Sequence, residues 1–152
     1  MMSRSVTACA GICVLALGLG GCTTKVDESD IRFISSGELR QMIQTRDGGR
    51  ADHLMLIDPR SAREYAEGRI VGAEHITIDR VVGEKSPRNP PFDRYSNIVV
   101  YGNDPASAPA RGMAKRIMSL GHKKTTRMYA GGMKEWSQTY PSMVVRGEEP
   151  AK

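Results

Sequence analysis

Cysteine confines this chain more than any other residue type. All three cysteines, Cys9, Cys13 and Cys22, fall within the first 22 of 152 residues. From Thr23 to Lys152 there is no thiol, so that stretch forms no internal disulfide and holds no cysteine nucleophile or cysteine metal site. Its fold must rest on packing alone. The means are adequate: 39% of the residues are hydrophobic and 26% charged, which excludes a disordered chain and an integral membrane protein. Only 5% are aromatic, so the core must be mainly aliphatic. The length suits one domain. The net charge of +5 is modest, and no basic run is interleaved with aromatics, so no nucleic-acid partner is expected.

The N-terminus reads as an address. Arg4 is the sole charge before Val6–Gly21, an uncharged stretch of 16 residues. That is short of the roughly 20 a membrane-spanning helix needs. Its glycines and its lack of a polar face also make it a poor buried helix. A short positive start, an apolar run and small residues at its end describe a secretory signal peptide. Leu19-Gly20-Gly21-Cys22 resembles the bacterial lipobox. That resemblance implies cleavage before Cys22 and acylation of its thiol and amine; the alternative is an ordinary signal cut nearby, leaving a free thiol. Residues 1–21 are then the lipoprotein signal, and removing them leaves 131 residues with a net charge of +4. Residues 22–30 read as a lipidated, polar, mobile tether, in which the eight residues Thr23–Asp30 reach at most ~28 Å. Thr23 stands where an aspartate would resemble an inner-membrane retention signal. The expected location is therefore the bacterial cell envelope, on the outer membrane facing the periplasm if the cell has one.

The folded domain is expected at 31–145, with 146–152 as a C-terminal tail. Ile31–Ile34 can be a short strand, and Ser35-x-x-Glu38 then opens a helix with a capping box. Leu54–Ile57 is a continuous apolar run, the pattern of a strand buried on both faces of a parallel sheet. Ser61-x-x-Glu64 is a second capping box, and Gly68 stops that helix. A further strand is expected within Ile70–Ile78, centred on His75–Ile78. Val81–Ser96 carries three prolines and reads as a surface loop. Asn97–Tyr101 is the clearest strand. Ala110, Met113, Ile117 and Leu120 share one helical face, and Gly121 ends it. Thr126–Tyr129 is another strand, and Gly131-Gly132 turns into a last helix with Met133 and Trp136 inward. Strands alternating with helices imply a parallel-rich α/β domain.

His53, His75 and His122 are scattered without a second ligand at metal spacing, so neither a metal nor any other cofactor is expected. Asp58 and Arg60 follow a buried strand at the carboxyl edge of the sheet, where open α/β sheets bind ligands. The other reading of Asp58 is structural, a carboxylate bonding nearby backbone and holding the loops together.

Leu56-Ile57-Asp58-Pro59-Arg60, Glu64-Tyr65, Glu67 to Ala73, Ile98–Tyr101, Leu120-Gly121-His122, Gly131-Gly132-x-x-x-Trp136 and Tyr140-Pro141 together resemble a rhodanese-like domain over 31–145. The resemblance implies a three-layer α/β domain, a five-stranded, mainly parallel sheet with helices on both faces. A working rhodanese carries a cysteine immediately after the central strand. Its thiolate accepts sulfur as a persulfide, cradled by the amides of the following loop. Here that position is Gly102, followed by Asn103-Asp104-Pro105-Ala106-Ser107-Ala108-Pro109-Ala110-Arg111. The loop is about two residues longer than the common sulfurtransferase pattern. Pro109 fits only a first helical turn, which starts the helix near Ser107 or Ala108.

Without the cysteine, no catalytic residue is assigned. Gly102, Asn103, Asp104, Ser107 and Arg111 are the ligand-loop candidates, with Asp58 and Arg60 behind them. Asp104 should oppose an anion in the loop, and Arg111 could offset it by turning inward. The expected function is a membrane-anchored binding module, probed at this loop by an envelope protein partner or a small anionic ligand. One alternative is catalysis through Asp104 as a carboxylate nucleophile, through Ser107, which otherwise reads as an N-cap, or through a partner's thiol. The other is a structural envelope role.

Overall fold

In the computed structural model, residues 25–47, 53–83 and 86–147 are described. The lipobox and Cys22 lie outside them. Among the described residues, seven strands and four α-helices follow in order: β1 (Phe33–Ile34), α1 (Ser36–Asp47), β2 (Leu54–Asp58), α2 (Ala62–Glu67), β3 (Arg69–Ile70), β4 (Glu74–His75), β5 (Asn97–Tyr101), α3 (Ala108–Ile117), β6 (Thr126–Tyr129), α4 (Gly132–Thr139) and β7 (Val144–Val145). The main sheet has the order β1-β6-β5-β2-β4. Every pairing in it is parallel. A separate antiparallel ribbon joins β3 to β7.

β2 is buried at all five positions, as its unbroken apolar run requires. β5 lies at the centre, and its alternating side chains feed two cores. Ile98 and Val100 pack with Met113, Ile117 and Met128 on the α3 side. Val99 and Tyr101 pack with Leu39, Ile43, Tyr129 and Trp136 on the side of α1 and α4. Helices thus cover both faces of an aliphatic sheet. Trp136 is fully buried, as its spacing from Met133 implies.

Both capping boxes form. The Ser35 amide donates to Glu38 Oε2 at 2.8 Å, and the Glu38 amide returns a bond to Ser35 Oγ at 3.3 Å. Ser61 and Glu64 repeat the exchange at 3.1 and 3.3 Å. A further helical turn, Met118–His122, continues α3 and breaks at Gly121, whose φ of 99° suits glycine.

Two expectations need correcting. The segment 70–78 is not one strand around His75–Ile78. β3 leaves the main sheet to pair with β7, β4 is only Glu74–His75, and Ile78–Arg80 is a helical turn. The isolated run of β-branched residues could not reveal that its neighbour would be the distant Val144–Val145. The expected mobile tether is also partly docked. Glu28–Asp30 forms a helical turn, Val26 packs on the α3-side core and Ile31 is buried.

Candidate functional site

The parallel sheet brings the ends of β2 and β5 together, and with them Asp58, Arg60 and the loop 102–107. Asp58 has no exposed surface, and Arg60 is 5% exposed. The carboxylate takes the guanidinium at two points, Nε to Oδ1 at 2.9 Å and Nη2 to Oδ2 at 2.6 Å. It also accepts the Arg60 amide at 3.1 Å and the Tyr101 hydroxyl at 2.6 Å. Four donors saturate a buried carboxylate, which is the condition for leaving it there. Tyr101 Oη in turn accepts the Ile70 amide at 3.2 Å, tying β3 to the site. Burial pushes the Tyr101 phenol well up, and the Asp58 charge adds to this. Burial opposes the charge on Arg60, but its bond to Asp58 and the charges of Asp58, Tyr101 and Glu64 together raise its pKa.

Arg60 then reaches outward. Its Nη2 donates to the Gly68 carbonyl at 2.7 Å and its Nη1 to Asn103 Oδ1 at 2.9 Å. Asn103 Nδ2 donates to Glu64 Oε1 at 2.5 Å. Bonds from the Ser61 side chain and from Asn103 hold the Glu64 carboxyl below its ordinary range. The pair Asp58–Arg60 thus joins β2, β3, β5 and the loop.

The loop leans on α4. The Met133 and Lys134 amides, in the first turn of that helix, donate to the Gly102 and Asn103 carbonyls at 2.8 and 3.0 Å. The approach is possible because residue 132 is glycine. Its φ is +61°, and a Cβ there would lie 2.5 Å from the Asn103 carbonyl carbon.

The loop interior is filled by its own residues. A Cβ at Gly102 would meet Ser107 Oγ at 2.0 Å and Ser107 Cβ at 2.3 Å. Ser107 stands at the N-cap of α3, yet its side chain makes no capping bond. The N-cap expectation holds for its place and fails for its hydroxyl, which lies against Gly102 instead. Asp104 Oδ1 accepts the Ala106 amide at 2.8 Å, and the Asp104 carbonyl accepts the Ser107 amide at 3.2 Å. A loop amide that could face a ligand anion is thus taken by the loop's own carboxylate. Arg111 does not turn inward. It donates to the Pro105 carbonyl through Nε at 3.2 Å and Nη2 at 2.8 Å, and to Glu28 through Nη1 at 2.8 Å.

Beside the loop lies a wide-mouthed groove of about 540 Å³, with Arg60, Glu64, Asn103, Asp104, Lys134 and Arg146 on its walls. Sequence reasoning missed Lys134 and Arg146. Lys134 was within reach, since a helix starting at Gly131-Gly132 puts it one turn from a neighbouring loop. Arg146 gave no signal, because only the pairing of β7 with β3 brings it there. The histidines stay apart: His53 Nδ1 lies 2.6 Å from Ser96 Oγ, His75 Nε2 lies 2.8 Å from the Arg60 carbonyl, and His122 faces Asp93 at 3.8 Å. Among the described residues no three His, Cys, Asp or Glu side chains converge to hold a metal.

The family model described as "Rhodanese-like domain" matches residues 35–139. The chain belongs to the rhodanese-like domain family. Solved structures share the fold. A Rhodopseudomonas palustris protein of unknown function, described as a possible tyrosine phosphatase, is 22% identical with a TM-score of 0.55, over 72% of this chain and 82% of its own. The human single-domain sulfurtransferase TSTD1 is 23% identical with a TM-score of 0.54, over 70% of this rhodanese-like chain and 96% of its own. The As-Sb reductase of Leishmania major is 13% identical with a TM-score of 0.57, over 79% and 88%. No curated protein matches the chain in sequence.

Proposed function

We propose that this rhodanese-like chain is a lipid-anchored module without cysteine-based sulfur transfer. It works by binding an envelope protein partner or a small anionic ligand in the groove beside the loop after β5. One observation carries the reading. Gly102 takes the place that the family's sulfur-accepting cysteine would hold, and Ser107 fills the space its side chain would need. Without a thiolate no persulfide forms on the protein. Lys134 and Arg146 are the groove cations that would meet an anionic group, beside the carboxylates Glu64, Glu67 and Asp104, and the paired Asp58–Arg60 behind them gives it a rigid wall.

Catalysis through the loop's other side chains is the weaker reading. Asp104 is turned onto its own Ala106 amide. No histidine or carboxylate among the described residues activates Ser107 Oγ, which therefore stays a poor nucleophile. The lipid on Cys22 is the proposed anchor. Val26 is docked on the domain and lies four residues from Cys22 in sequence, a span that reaches at most ~14 Å. The domain then sits against the membrane surface.

Purified protein should turn over neither thiosulfate with cyanide nor a phosphate ester. A photo-crosslinker placed at Ser137, on the groove rim, should capture one stoichiometric partner in cells. That capture should fall in Lys134→Glu/Arg146→Glu. Turnover by the wild type would overturn the binding reading.

A further inference from the structure

The N-terminal segment does more than connect. Glu28 places Oε2 2.8 Å from Arg111 Nη1 and Oε1 2.5 Å from Lys115 Nζ, one carboxylate bridging two turns of α3. Both contacts hold the Glu28 carboxyl below its ordinary pKa, the Lys115 bond foremost. The remaining guanidinium nitrogens of Arg111 close on the carbonyl of Pro105, an exposed residue of the site loop. The Arg111 guanidinium also lies over the Phe33 ring, 5.8 Å from its centroid, which limits where it can swing. A second ion pair, Asp30 to Lys123 at 2.7 Å, pins the segment further along, and buried Ile31 ends it.

We infer that Glu28 is a positioning residue for the ligand loop: it holds Arg111 in the orientation that grips Pro105. An arginine on an exposed helical turn samples many rotamers. A carboxylate on one side and a carbonyl on the other select the rotamer that spans them. The chain from Glu28 through Arg111 to Pro105 thus couples the segment nearest the anchor to the loop that forms the groove wall. Glu28 is half exposed, so the grip is a modest bias, not a lock. It sets how often the loop opens and leaves the global fold unchanged. The inference rests on reading 102–107 as the ligand loop, but its test reads loop opening directly and needs no ligand.

The test is amide hydrogen exchange on the full chain in detergent micelles. The reporters are the Ala106 and Ser107 amides, which bond within the loop, and the Arg111 amide, which bonds to the Ser107 carbonyl. In Glu28→Gln the Ala106 and Ser107 amides should exchange about 1.4 to 5 times faster, the range an exposed charge-assisted contact commands. Amides of β5 and the melting temperature should stay put. Arg111→Gln should raise the same two amides by a similar factor, and the double variant no further. The acceleration in Glu28→Gln should be reproduced in wild type by raising salt. Unchanged loop exchange in Glu28→Gln would overturn the inference. So would an equal loop effect from Lys123→Gln, which loosens the segment without touching Arg111. Failure of the groove to bind anything would leave these exchange results intact, so the two readings fail separately.

Discussion

A single methyl group tests how the site loop is built. At Gly102 no positive φ demands glycine, so any cost of a side chain is one of space. An added Cβ lies 2.0 Å from Ser107 Oγ and 2.3 Å from Ser107 Cβ, against ordinary carbon contacts of about 3.5–4.0 Å. Rotating Ser107 moves its hydroxyl but not its Cβ, so the backbone itself must shift by about 1 Å. That backbone is fixed by the Gly102 and Asn103 carbonyls on the first turn of α4. Overpacking of this kind costs about 1–3 kcal/mol. For a domain of about 120 residues, 1 kcal/mol moves the melting temperature by about 4 °C, so Gly102→Ala should melt about 4–12 °C lower. Ser107→Gly removes both clashing atoms, and the next nearest is Ala110 Cβ at 3.2 Å, which can yield. The double variant Gly102→Ala/Ser107→Gly should therefore recover most of the loss, with a coupling energy of about 1 kcal/mol or more in urea unfolding. The same logic governs an attempted reactivation. Gly102→Cys should carry no sulfur from thiosulfate to cyanide, and Asp104→Asn should not rescue it while Ser107 stands in the thiol's place. Only with Ser107→Gly as well does the thiol gain room. A Gly102→Ala variant as stable as wild type, or a double variant no better than the single, would refute the steric account. Cyanide-dependent turnover by Gly102→Cys alone would refute it too.

Asp58→Asn leaves Arg60 buried without its carboxylate and should lose about 3–5 kcal/mol in urea unfolding, the cost of one partner of a buried pair. Glu64 has a lowered pKa in the folded chain, so its contribution is present at neutral pH and fades as pH falls below the unfolded carboxyl value near 4.5; Glu64→Gln should lose less stability than wild type between pH 7 and pH 3 in thermal melts. Cys22→Ser should abolish fatty-acid labelling and release the protein from the membrane fraction, and a variant still labelled and membrane-bound would end the anchor assignment. Neither reductant nor chelator should shift the melting curve, and a large fall with chelator would reveal a metal site.

What could be read in advance depended on how local each cause was. The two capping boxes, the buried run of β2 and the strand at Asn97–Tyr101 follow from neighbours in sequence, and each formed where expected. The parallel sheet followed in turn, since strands alternating with helices leave few other arrangements. Asp58 and Arg60 were placed at the correct sheet edge for the same reason. Their partners were not legible: Tyr101 reads as a core aromatic, and only the β2–β5 register brings its hydroxyl to Asp58. The ribbon of β3 with β7 was invisible because its halves are about 75 residues apart and two residues long.

The loop shows the limit most clearly. The loop holds no cysteine, and its Ser107 and Arg111 both point elsewhere than local rules suggest. Ser107 gives up capping because Gly102 leaves a hole beside it, and a small polar side chain fits there. Arg111 turns outward because Glu28, 83 positions away, offers a carboxylate on that side. A glycine in place of a side chain thus changes more than one position. It draws the helix cap into the vacated space, and the loop's acidic residue then takes the amide of Ala106. The result is an internally bonded loop whose outer wall lies beside Lys134 of α4 and Arg146, the residue that follows β7.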